Sequence, residues 1–280
     1  MSIALTNAQT VRIREVNIYY ELYNFHEQRP VIVLLHGFLS SAFSYRRLIP
    51  LLMNDFSIIA IDLPPFGKSE KSTRFRYTYK NLAQLVIDLL HHLQIRKCTL
   101  AGHSMGGQIC LYIARMQPQI VKQIILLCSS GYMKRVGKSL LFSTYIPYFH
   151  LYVKRRLYEQ GVEKNLLQVV YNHSLIDDEM KKGYEQPFYD ERIFKALIRF
   201  IRHREGDLLS TDLQKIDIPT LLLWGENDRV VPIKIGKRLH QDLRNSQFIS
   251  FPNTGHLLPE EKPDDVYRQM IQFMGEFHGS

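Results

Sequence analysis

The stretch Gly102-His103-Ser104-Met105-Gly106 constrains the fold more than any other part of this 280-residue chain. An apolar, β-like run from Cys98 to Ala101 leads into it, and a helix-like run from Gln108 to Met116 leaves it. A serine between strand and helix, with a glycine two before and two after, sits on a tight and strained turn. Such a turn lifts the hydroxyl clear of the sheet. Gly102 and Gly106 let strand and helix approach where a Cβ would collide. The pattern predicts a sheet-and-helix fold with Ser104 presented at a strand end as a nucleophile.

Other short apolar runs supply the rest of a sheet: Val31 to Leu35, Ser57 to Ile61, Gln123 to Cys128, Thr220 to Trp224 and Gln247 to Phe251. Runs of this kind suit strands buried on both faces of a parallel sheet. Val11 to Glu15 and Val16 to Leu22 read as a hairpin at its edge. Helical spacing separates the runs. Between Asn81 and Leu93 the apolar positions are 82, 85, 86, 89, 90 and 93, which form one helix face. Gln108 to Met116, Ile233 to Leu243 and Asp264 to Phe277 are the other helical stretches. The alternation predicts an α/β fold with a mostly parallel eight-stranded sheet flanked by helices. Residues 131–211 break it. They lack convincing strands and hold an amphipathic helix near Glu191 to Arg202, with Phe194, Leu197, Ile198 and Ile201 on one face. The expected organisation is a core of residues 1–130 and 212–280, with 131–211 as a helical insertion.

A serine hydroxyl is a weak nucleophile and needs a base, usually histidine, which in turn needs an orienting carboxylate. In open α/β sheets these groups gather at the carboxyl ends of the strands. Gly225-Glu226-Asn227-Asp228 follows the Thr220 to Trp224 run, and Gly255-His256 follows the last. Asp228 and His256 are therefore the expected acid and base, with Glu226 as the local competitor. The preceding strand ends in Ser129-Ser130-Gly131 and offers no acid. Asp62 also follows a strand and is read as a structural turn residue. Two backbone N–H groups are placed to hold an oxyanion: that of Phe38, in a loop that Gly37 lets come close, and that of Met105, just after the serine.

With these residues in place, the chain resembles the α/β-hydrolase fold superfamily over nearly its whole length. The motifs are His-Gly-Phe at 36–38, Asp-x-Pro-x-x-Gly-x-Ser from Asp62 to Ser69, Gly-His-Ser-Met-Gly-Gly at 102–107, Trp-Gly-Glu-Asn-Asp-Arg-Val-Val-Pro at 224–232 and Gly-His at 255–256. The order Ser104, Asp228, His256 is that of the superfamily. Position 65 departs from it, with proline where a glycine is usual. The resemblance implies that residues 131–211 form a helical cap over the pocket. It also implies a cofactor-free and metal-free serine hydrolase acting on a small-molecule ester of short to medium apolar acyl chain. C–C bond cleavage, a lactonase or a perhydrolase would use the same triad, and a ligand sensor would keep the fold. A serine nucleophile is incompatible with the aspartyl-ester route of haloalkane dehalogenases and epoxide hydrolases.

Thirty-six Lys and Arg against 27 Asp and Glu give a net charge of +9. No nucleic-acid motif accompanies this charge, so nucleic acid is not an expected partner. Part of it is local. From Tyr132 to Leu157 there are six Lys and Arg and no acid, which reads first as the solvated outer side of a cap helix pair and, as the alternative, as a docking surface for an acidic carrier protein or an anionic membrane surface. The three cysteines lie in apolar runs without metal-binding spacing and read as reduced core thiols. With no secretory pattern at the N-terminus, the expectation is a cytoplasmic protein.

Overall fold

In the computed structural model, which describes residues 7–26 and 28–276, the apolar runs pair into one eight-stranded sheet. The strands are β1 (Asn7–Ile13), β2 (Val16–Tyr23), β3 (Val31–Leu35), β4 (Ser57–Ile61), β5 (Cys98–His103), β6 (Val121–Leu127), β7 (Thr220–Gly225) and β8 (Ser246–Phe251). Their order is β1-β2-β4-β3-β5-β6-β7-β8. The β1–β2 and β2–β4 pairs are antiparallel, and the other pairs are parallel. Every residue of β4, β5 and β7 is buried, as strands covered by helices on both sides must be. Each fully buried Leu, Ile or Val in them contributes on the order of 1.5–3 kcal/mol.

The core helices are α1 (Tyr79–His92), α2 (Met105–Met116), α7 (Ile233–Asp242) and α8 (Pro263–Glu276). Thr78 caps α1 by accepting the Asn81 N–H at 3.0 Å. The α1 face made by Leu82, Leu85, Val86, Leu89 and Leu90 is buried, as its spacing requires. Between β6 and β7 the chain is helical: α3 (Lys138–Ser143), α4 (Phe149–Val169), α5 (Asp178–Glu185) and α6 (Arg192–His203). The buried face of α6 includes Phe194, Leu197 and Ile198, whereas Ile201 is half-buried. Helix α4 breaks at Gly161, whose φ is 69°.

Parallel registry brings the strand ends to one level. Leu35 pairs with Gly102, His103 with Leu127, and Gly225 with Phe251. The loops that follow β3, β5, β7 and β8 therefore emerge on one edge of the sheet, where ligands of open α/β sheets bind.

Candidate active site

Ser104 occupies the turn between β5 and α2 with φ 52° and ψ −117°. This left-handed φ is costly for a residue with a side chain and persists only where the surroundings enforce it. They do so through hydrogen bonds and close packing. The Ser104 N–H donates to Leu127 O at 3.0 Å, and the Ser104 carbonyl accepts from Ser130 N–H at 2.9 Å and Gly107 N–H at 3.0 Å. A Cβ on Gly106 would lie 2.0 Å from the Leu35 carbonyl oxygen, and one on Gly102 would lie 2.5 Å from Gly106. The turn closes only with glycine at both places. A Cβ added to Gly37 would come within 3.2 Å of the Ser104 Cβ, so the loop after β3 lies against the serine.

Asp228 and His256 meet in a buried pair. His256 Nδ1–H donates to Asp228 Oδ2 at 2.7 Å, and Asp228 Oδ1 accepts the Val230 and Val231 N–H groups, each at 2.8 Å. The loop is pinned in turn by Trp224, whose Nε1–H donates to Val231 O at 2.9 Å. Glu226 is exposed and accepts the Ser250 hydroxyl at 2.8 Å, away from the histidine. With Nδ1 committed to Asp228, Nε2 is the ring nitrogen left for Ser104. The two residues line one cavity, but no hydrogen bond joins them in this conformation. Such bonds are commonly long in unliganded sites and tighten around substrate.

Among the described residues, the Phe38 and Met105 N–H groups have no intramolecular acceptor. Two buried histidines hold the backbone around them. His36 Nε2 accepts the Leu63 N–H at 2.8 Å, so its proton sits on Nδ1 and is donated to Gly37 O at 2.7 Å. His103 Nε2 lies 2.8 Å from the His256 carbonyl and donates to it. Burial pushes His36 down to about 4 and His103 to about 3, the latter helped by the adjacent His256. Both stay neutral near pH 7 and act as fixed hydrogen-bonding struts.

Asp62 serves the same loops. Its oxygens accept Ala42 N–H and Lys68 N–H, both at 2.7 Å. Burial outweighs these donors and raises the carboxyl from 3.8 to about 6. The native state thus holds a proton here that the unfolded chain has already lost. Stability from this group is largest at acid pH and falls as pH rises from about 4 to about 6. In Asp62→Asn, urea unfolding should lose that slope. At neutral pH the variant should cost about 1–3 kcal/mol, because the amide accepts only one of the two N–H groups.

Three groups of contacts were not visible in the sequence. His256 N–H donates to Val169 O at 2.7 Å, at the end of α4. Glu261 accepts Gly255 N–H at 2.9 Å with one oxygen, and Tyr171 and Asn172 N–H at 2.9 and 3.1 Å with the other. Buried Glu260 pairs with Arg46 at 3.1 Å and Arg47 at 3.3 Å, and Arg46 also reaches Glu179 of α5 at 3.1 Å. Apart from Gly255, six residues from Glu261, the partners lie from 87 to 214 residues apart in the chain, so no local pattern announces them.

Cys128 Sγ, Asp228 and His256 present donor atoms within 4.8 Å of one another. Their chemistry is that of a hydrogen-bonded group rather than a metal cage. His256 Nδ1 is spent on Asp228, and burial pushes the Cys128 thiol well above its ordinary range, so it stays protonated.

Two cavities open at Ser104. One, of about 290 Å³, is lined by Val162, Leu166 and Phe188 as well as Ser104 and His256. The other, of about 380 Å³, is lined by Met133, Val136, Phe200, Ile201 and Arg204. Phe38, Ser104 and Val230 border both. Phe38 stands between Phe66, with ring centroids 5.3 Å apart, and Phe200, at 5.4 Å. This aromatic contact ties the loop after β3 to α6.

A mostly parallel sheet in this order, with a strained serine at one strand end and a buried Asp–His pair beside it, defines a hydrolase of the α/β fold. Residues 30–263 match the alpha/beta hydrolase fold family, and the chain belongs to it. Over 259 residues, 92% of this chain and 94% of the relative, it is 57% identical to the uncharacterized hydrolase YugF of Bacillus subtilis (strain 168). It is 25% identical over 251 residues to the 2-hydroxy-6-oxo-6-(2'-aminophenyl)hexa-2,4-dienoic acid hydrolase of Metapseudomonas resinovorans, covering 87% of this chain and 83% of that one. A solved bacterial membrane phospholipase A superposes with a TM-score of 0.81 at 25% identity, over 99% of this chain and 88% of the other.

Proposed function

We propose that the protein is a serine hydrolase of carboxylic esters in which Ser104 attacks, His256 moves the proton and Asp228 orients the histidine. One observation carries this reading: the strained Ser104 borders two largely apolar cavities, while the Asp228 contact leaves His256 only its Nε2 face for the serine. An ester has two arms, and the two cavities offer a place for each. His256 Nε2 takes the Ser104 proton as Oγ bonds to the ester carbonyl carbon. The oxygen that becomes negative is held by the free N–H groups of Phe38 and Met105. Collapse breaks the C–O bond, and the alcohol leaves with the proton from His256. Water, deprotonated by the same nitrogen, then releases the acid and restores the serine.

The segment between β6 and β7 supplies much of the apolar wall, through Met133, Val162, Leu166, Phe188, Phe200 and Ile201, and acts as the cap, excluding water from the acyl-enzyme. A fluorophosphonate probe should label one serine, Ser104, and p-nitrophenyl esters of short to medium acyl chain should turn over. Ile201→Trp narrows one cavity and Val162→Trp the other. One variant should select against long acyl chains, the other against bulky alcohols. Identical shifts in both preferences would sink the two-arm arrangement.

A second reading, hydrolysis of a C–C bond in a vinylogous diketone acid, is favoured by Arg204. It places a permanent cation on the larger cavity, suited to a substrate carboxylate. Faster turnover of such an acid than of any ester would replace the ester reading.

A further inference from the structure

The helical segment carries two features that the hydrolytic chemistry does not use. The first is a group of bare apolar side chains around the turn between α3 and α4. Phe142, Tyr145, Ile146, Tyr148, Leu151 and Tyr152 are each more than half exposed, Phe142 at 71% and Tyr148 at 75%. Single exposed apolar residues are ordinary, but a contiguous group of this kind marks an interaction site. The second is a hollow of about 280 Å³ at its foot, walled by Tyr145, Ile146 and Phe149 and by Lys195, Arg199 and Arg202 of α6.

The hollow is a site of uncompensated positive charge. Among the described residues, Lys195, Arg199 and Arg202 have no carboxylate partner. Arg199 donates only to the Arg74 carbonyl, at 3.1 Å, and its buried Nε has no acceptor. The Arg202 guanidinium lies 3.9 Å over the Tyr145 ring and bonds to Thr144, which joins the charge to the apolar turn. Nearby His203 feels the field. Burial first, and then Arg199, Arg76, Arg202 and Arg135, push it down to about 4.

We propose that this face docks on a bilayer containing anionic phospholipid, the turn entering the interfacial layer and the hollow receiving a headgroup phosphate. The pairing of the two features decides the partner. A soluble anion would use the hollow and leave the apolar turn without purpose. An acidic protein would be met by charge and would not require six large side chains held in water. Aromatic and aliphatic residues beside unpaired Arg and Lys fit the layered chemistry of a membrane surface.

Flotation of the full-length protein with lipid vesicles tests the proposal. Binding is expected to vesicles of phosphatidylcholine mixed with phosphatidylglycerol, to weaken with added salt, and to be absent from phosphatidylcholine alone. Phe142→Ser with Tyr148→Ser, and separately Lys195→Gln with Arg199→Gln, should each weaken it by about tenfold or more. Circular dichroism checks that both variants fold. Equal binding to neutral and anionic vesicles, or undiminished binding by either folded variant, overturns the proposal. So does affinity for inorganic phosphate, or for an acidic carrier protein, without vesicle binding.

Discussion

Ser104→Ala should lower kcat on p-nitrophenyl esters by about 10⁴ to 10⁶ and remove fluorophosphonate labelling altogether. Alanine keeps the methylene that the turn already accommodates, so the fold survives and the loss reports chemistry. The φ of 52° is held by hydrogen bonds to Leu127, Ser130 and Gly107, none of which uses the hydroxyl. The cavities and the free Phe38 and Met105 N–H groups also survive, so KM should change little. A residual rate above water is expected from those donors. Thermal unfolding within about 1 kcal/mol of the parent would show that the scaffold is intact. A fall in kcat of less than tenfold would remove Ser104 from the role of nucleophile.

Asp228→Asn should cost about 10⁴ in kcat, and the geometry explains why the substitution cannot be absorbed by rotating the amide. Asp228 Oδ1 faces two N–H donors, those of Val230 and Val231, each at 2.8 Å. An asparagine there must turn its oxygen toward them, because its NH₂ would oppose both. The NH₂ group then faces His256 Nδ1, which must become an acceptor. The ring proton moves to Nε2, where a lone pair is needed to take the Ser104 proton. The variant should keep substrate affinity while losing rate. A loss in KM with kcat preserved would show that Asp228 acts only through packing.

The sheet was largely legible because its strands are buried on both faces and so read as uninterrupted apolar runs. Val31 to Leu35 and Ser57 to Ile61 match β3 and β4 residue for residue. The expected helix at Asn81 begins two residues earlier, at Tyr79, because Thr78 rather than a hydrophobic position sets its start. At the edge, β1 begins at Asn7, ahead of the expected Val11. An exposed hairpin strand needs no apolar residues on its outer side, so pattern alone cannot find its end.

The site was legible where chemistry sits in short motifs at strand ends. It was silent where loops are tied across the molecule. Nothing in the sequence near Glu261 distinguishes it from Glu260, yet one bridges the His256 loop to the end of α4 and the other is buried between two arginines. Helix α4 was legible only as part of a helical insertion, without its bounds, for a related reason. Its exposed side carries Leu151, Tyr152 and Tyr158, so its apolar residues follow no single stripe and helical periodicity fails.

The Glu261 bridge has a mechanical consequence. One carboxylate holds Gly255 on one side and Tyr171 and Asn172 on the other, and the amide of His256 is bonded to Val169. The end of α4 and the loop that carries His256, the proposed base, therefore share a hinge pin. Any swing of the 169–172 segment must either drag the imidazole out of alignment or break these bonds first. On the proposed chemistry, opening that end while His256 stays aligned costs the bonds that join them.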